Sequence, residues 1–166
     1  MSSYAYGYFG MPCALCTRYR TVGDSRCPGC SQNGYYTETC RVHRCIGEKG
    51  LLHCGLCPSF PCEKLGGMGD FRDLNTNHVK ERTCRAVAAQ GLGPWQQDYE
   101  VRADLLTKAL AQYNNGRMKR YLCELFIQQD LSTLQQIMEQ AQALEGSPKE
   151  LGKAFQAVVQ AVLAKR

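Results

Sequence analysis

The sequence predicts a small metal-stabilised, cysteine-rich module of zinc knuckles and short strands, followed by an all-α helical bundle. Three observations lead there. Nine of the eleven cysteines lie between Cys13 and Cys62. Glycine and proline punctuate the same stretch, as in CPGC and GEKG, which favours turns over long regular elements. Beyond the glycine-rich break LGGMGDF (Leu65–Phe71), apolar residues recur with a helical period. The expected domains are therefore 1–69, cysteine-rich and zinc-binding, and 70–166, helical.

The elements follow in order. YAYGYF (Tyr4–Phe9) alternates aromatic and small residues, the period of a short strand with Tyr4, Tyr6 and Tyr8 on one face. From Cys13 to Leu65 knuckles and turns are expected, with little regular structure. A first helix is expected over Thr76–Gln90, stopped by Gly91 and Gly93-Pro94. A second runs from about Trp95 to Tyr113, with Val101, Leu105, Ala109 and Tyr113 as its apolar stripe, and Asn114-Asn115-Gly116 ends it.

The third helix, Arg117 to about Gln129, places Met118, Tyr121, Leu122, Leu125 and Phe126 on one side. The fourth opens at Asp130 or Ser132, where Ser132 and Gln135 have capping-box spacing, and buries Leu134, Ile137, Met138, Ala141 and Leu144. SPKE starts the fifth, with Ser147 as cap, Pro148 in the first turn and Glu150 reaching back. Its inward residues are Leu151, Phe155, Val158, Val159 and Val162. Helices joined by short breaks share a core as a bundle.

The chemistry lies in the cysteines. Cys13-Ala-Leu-Cys16 and Cys27-Pro-Gly-Cys30 are two Cys-x-x-Cys knuckles, and this spacing lets one turn present two thiolates to a single ion. They are read as a four-cysteine zinc site. Downstream stand Cys40, Cys45, Cys54, Cys57 and Cys62, with His43 and His53 among them. Cys54-Gly-Leu-Cys57 is the third knuckle, and Cys40 with Cys45 is the simplest partner pair for a second zinc ion. Cys62 is an alternative ligand that could replace either, and a cross-braced division of the same residues stays open. The histidines read as loop groups outside the ligand set. An iron–sulfur cluster is the alternative cofactor, although the ferredoxin spacing is absent. CPGC could also be a redox dithiol, but it lacks the βαβ context such a motif needs.

Charge narrows the partners. Residues 1–69 carry seven Lys/Arg against four Asp/Glu. Eight metal-bound thiolates and two zinc ions would turn that excess slightly negative, because bound cysteine is deprotonated. The chain's formal +5 is thus a weak argument for nucleic acid. The N-terminus has no basic, apolar leader pattern and no apolar run spans a membrane, so the expectation is a cytoplasmic protein with reduced thiols and no membrane partner.

YFGMPCALC, CPGC, CRVHRCIGEKGLLHCGLCPSFPCEKL and HVKERTCRAVAAQGLGPWQQDYE together resemble a prokaryotic family, the domain of unknown function 3795, over about Tyr8–Glu100. The Lys49-Gly50 and Phe60-Pro61-Cys62-Glu63 details carry much of the likeness. The resemblance implies zinc binding and no established activity. Phe9 departs from it, standing where such proteins usually carry their first cysteine. Ten thiols would serve two four-cysteine sites with two to spare. The position of Phe9 and Cys62 are accordingly expected to be the non-ligands, with Cys62 a packed thiol.

Function then divides three ways. A binding or adaptor module held by structural zinc, with a protein partner, is the principal reading. Nucleic-acid binding would use Arg18, Arg20, Arg26, Arg41 and Arg44 with Tyr19, Tyr35 and Tyr36 for stacking. A redox or other enzyme would have to use the thiols or YNNGRMKRYLC, where Asn115, Arg117 and Lys119 offer anion or partner contacts near a helix start. No catalytic constellation stands out, so the sequence leans away from an enzyme.

Overall fold

Between Cys40 and Gly50 the chain forms a helix, where knuckles and turns were expected. In the computed structural model, which describes residues 4–32, 34–66 and 79–165, Arg41–Glu48 is helical with Val42 and Ile46 buried. Their i, i+4 spacing puts both on one face. The helix ends in a Schellman turn: Leu51 N–H donates to Ile46 C=O at 3.1 Å and Gly50 N–H to Gly47 C=O at 3.0 Å. Gly50 has φ +63°, a conformation in which a Cβ would be strained.

The helices among the described residues are α1 (Gly34–Thr39), α2 (Arg41–Glu48), α3 (Glu63–Gly66), α4 (Lys80–Gln90), α5 (Leu92–Tyr113), α6 (Lys119–Gln128), α7 (Leu131–Ala141) and α8 (Pro148–Leu163). Single 3-10 turns cover Cys13–Leu15 and Cys54–Leu56. The expected strand over Tyr4–Phe9 is not formed. A tight turn closes there instead, Gly7 pairing with Met11 in an isolated antiparallel bridge. Gly10 at φ +92° makes the reversal possible. Tyr6 and Tyr8 meet edge to face at 6.2 Å.

Two compact units divide the chain, Met1–Glu100 and Val101–Arg166. The expected boundary at 69/70 lies outside the described residues, as do the first positions of the helix expected from Thr76. In the first unit α4 packs on the Cys54–Leu56 turn. A Cβ added to Gly55 would stand 2.4 Å from the Cys84 carbonyl oxygen and 2.8 Å from Val87 Cβ, so only glycine permits this approach. Trp95 and Tyr99, one turn apart on α5, stack at 5.0 Å. Phe9, Met11, Ile46, Cys54, Leu65 and Cys84 belong to the surrounding core.

The second unit is all helix. Leu106, Leu122, Phe126, Leu134, Ile137 and Phe155 are fully buried, α7 packs on α8, and Tyr113 stacks on Phe155 at 4.5 Å. The buried stripe of α5 here is Ala103, Leu106, Ala109 and Tyr113, while Val101 is exposed. The 3.6-residue period thus turns Val101 outward and leaves Leu105 half-buried at the edge of the stripe. The capping box of Ser147 and Glu150 is present on α8. On α7 the cap is Asp130, which accepts from Thr133 N–H at 2.9 Å, and Ser132 donates to that same carboxylate at 2.6 Å. A carboxylate at Asp130 reaches the free amides first, so Ser132 and Gln135 do not form a box.

Candidate metal centre

Cys13, Cys16, Cys27 and Cys30 line one cavity of about 210 Å³, beside Tyr19 and Arg26. The two knuckles are joined across it. Cys30 N–H donates to Cys13 Sγ at 3.3 Å, and the Cys13 thiol donates to the Cys30 sulfur. That bond, followed by burial, raises the Cys13 pKa well above its usual value, and it lowers that of Cys30. One sulfur from each knuckle therefore already faces the other.

The second group is arranged differently. Lys49, the residue that ends α2, donates from Nζ to Cys57 Sγ at 3.1 Å. The hydrogen bond to Cys57 raises the pKa of the exposed lysine, with Cys45 and Cys62 adding electrostatically. Desolvation opposes ionisation of Cys57, yet Lys49 and Ser59 bring its pKa down. Cys54 is hydrogen-bonded to Cys84 on α4, which lowers the Cys54 pKa and raises that of Cys84, and Cys54 also feels Cys57 and Lys49. Cys40 precedes α2 and packs against the core. Cys62, which immediately precedes α3, is exposed, so the packed role expected for it is corrected: among the described residues no element covers it.

Cys84 was not singled out by spacing. It stands 22 residues beyond Cys62, and only the docking of α4 brings it to Cys54. Lys49 was noticed only as part of the motif. The fit to zinc is one of donor kind alone: four thiols line one cavity in the first group, and in the second a single thiol, Cys57, meets the Lys49 ammonium. Among the described residues no three His, Cys, Asp or Glu side chains are drawn together closely enough to hold an ion. The sulfurs instead take the hydrogen-bond partners just described.

His53 is fully buried. Its Nδ1 accepts from Gly55 N–H at 3.0 Å, and desolvation lowers its pKa to about 4. The ring is therefore neutral, with the proton on Nε2, which has no hydrogen-bond partner. It packs against Tyr6, at 6.1 Å, and Trp95, at 5.4 Å, which also touch each other at 5.4 Å. His43 stacks on Tyr8 at 4.8 Å. Both imidazoles have ring-packing roles.

The residues expected for nucleic acid or anions are also placed. Arg26 sits 4.8 Å over the Tyr19 ring and donates to the Tyr19 carbonyl, and Arg20 donates to that of Ala14. The Tyr35 and Tyr36 side chains lie outside those described. Asn114 Oδ1 accepts from Gly116 and Met118 N–H, and Asn115 Oδ1 from Arg117 N–H. The amides an anion would use before Lys119 are thus already engaged. Among the described residues no helix is long and apolar enough to cross a membrane.

The family model described as Protein of unknown function (DUF3795) matches residues 5–67. No curated protein and no solved structure is similar enough to match.

Proposed function

We propose, from the match of residues 5–67 to the family model DUF3795, that the chain is a zinc-stabilised binding module with a protein partner. The carrying observation is the single cavity lined by Cys13, Cys16, Cys27 and Cys30. Four thiolates fill a tetrahedral zinc ion's coordination positions, so the metal here organises structure and leaves no position for substrate. It would supply folding energy, about 10–16 kcal/mol per site on the scale of finger peptides. That reading suits a unit whose core includes Cys13, Cys54 and Cys84 beside Phe9, Met11 and Ile46.

The chain's own residues shape the site. Tyr99 accepts the Ala14 N–H between Cys13 and Cys16 at 2.7 Å, which fixes the first knuckle from α5. Arg26, beside the second knuckle, lies over the Tyr19 ring and occupies a stacking face that a nucleobase would need.

Limited proteolysis of the full chain tests the reading. Chelation of zinc is expected to open residues 1–100 to cleavage, while 101–166 stays resistant. Equal resistance with and without chelator would overturn the structural role. Binding of a single-stranded oligonucleotide that weakens steeply with salt would instead favour nucleic acid as the partner.

A further inference from the structure

We propose that Arg18 and Arg26 are the counter-charges of the cavity formed by the two knuckles, placed to neutralise its thiolates once a metal is bound. This deepens the zinc reading above and rests on it.

Charge counting poses the problem. Four thiolates around one divalent ion carry a net charge of about −2. Holding that charge in a part-buried place is costly unless opposite charge stands beside it, and unbalanced sulfurs draw protons and electrophiles. The described residues that line the cavity include two arginines, Arg18 and Arg26, and no carboxylate. Two guanidinium groups, protonated at any ordinary pH, cancel the excess.

Each knuckle carries one of them. Arg18 follows Cys16 by two residues, and its carbonyl accepts from Cys27 N–H at 3.1 Å, so it stands where the first knuckle is tied to the second. Arg26 immediately precedes Cys27. Its guanidinium carbon lies 4.8 Å from the centroid of the Tyr19 ring, its Nε donates to the Tyr19 carbonyl at 3.1 Å, and Tyr19 itself lines the cavity. Those contacts hold Arg26 at the wall and leave its charge in place.

Arg20 marks the contrast. It is not among the lining residues; its Nε donates to the Ala14 carbonyl, and its guanidinium carbon stands 5.7 Å from the Tyr4 ring and 6.0 Å from that of Tyr19. Of the three arginines in this segment, one braces backbone and two face the thiols' cavity. Arg18 and Arg26 are exposed residues, so salt screens them. Their influence is expected to be largest at low ionic strength, where the screening length is about 30 Å at 0.01 M, and to vanish near 1 M, where it is about 3 Å.

Paired alkylation of the zinc-loaded full chain reads the potential at the sulfurs. Iodoacetate is an anion and iodoacetamide is neutral, so the ratio of their rates at Cys13, Cys16, Cys27 and Cys30, resolved by peptide mapping, senses local charge. In the parent the ratio is expected to stay flat with salt, because the charges cancel. In the double variant Arg18→Gln, Arg26→Gln it is expected to start about threefold lower at low salt and to recover as salt rises. Arg18→Lys, which keeps the charge, is expected to keep the parental ratio. Looser packing alone raises both rates and leaves the ratio unmoved; that outcome overturns the counter-charges and leaves the zinc reading intact. Should the double variant fail to fold, the parent decides: a ratio that climbs with salt reveals an uncompensated anion and refutes the pairing. A parent that holds no zinc overturns both readings.

Discussion

The hydroxyl of Tyr99 accepts the backbone N–H of Ala14 at 2.7 Å. The same oxygen donates to the Ala5 carbonyl at 2.5 Å, so one side chain from α5 satisfies two buried backbone groups of the cysteine-rich segment. Its ring is held by Trp95, and burial, followed by the nearby Cys13, keeps the phenol protonated.

Tyr99→Phe keeps the ring packing and strands both backbone groups. Leaving a buried donor and acceptor unpaired costs about 2–4 kcal/mol. Denaturant unfolding of the metal-loaded protein should show that loss in the first unit. A change below about 0.5 kcal/mol would mean the hydroxyl does not hold the knuckle.

Gly55→Ala places a methyl 2.4 Å from the Cys84 carbonyl oxygen. Backbone cannot yield as a side-chain tip can, so α4 must move, at a cost of about 1–3 kcal/mol or more. Faster amide exchange across Lys80–Gln90 is the expected signature. Unchanged exchange would contradict the close packing of α4 on the Cys54–Leu56 turn.

His53 gives a pH dependence. Its folded pKa of about 4 lies below the ordinary 6.5, so the unfolded chain takes up the proton first. The associated stability is complete above about pH 6.5 and declines as pH falls towards 4, by about 3 kcal/mol in all. The ring resonances followed by NMR should stay constant from pH 8 to about 5.5. A titration midpoint near 6.5 would show the ring to be exposed.

Asp130→Ala removes the carboxylate that accepts from Thr133 N–H and from the Ser132 hydroxyl. Loss of such a cap costs about 0.5–2 kcal/mol. Thermal unfolding should register it in the 101–166 unit, with the metal content of the chain unchanged.

Much of this architecture was legible in residue order. SPKE announced α8 because capping is a local matter of one serine, one proline and one glutamate. The two Cys-x-x-Cys pairs pointed to one another, and their four cysteines do share a cavity. Period and punctuation failed where distant contacts decide. Val42 and Ile46 gain burial from a core assembled elsewhere in the chain, which makes Arg41–Glu48 a helix despite the glycine at each end of GEKG. The aromatic alternation of Tyr4–Phe9 mimics a strand, but no partner strand is present among the described residues, and Gly10 turns the chain back. Cys84 was invisible as a partner of Cys54 for the same reason: only the packing of α4 brings them together.

The proposed organisation of the first unit by thiolate-bound zinc rests on the metal the chain carries. Elemental analysis of anaerobically purified chain, taken with its visible spectrum, tests it most directly. Colourless protein carrying about two zinc ions is expected. Metal-free protein that keeps its fold, or iron with strong visible absorption, would contradict it.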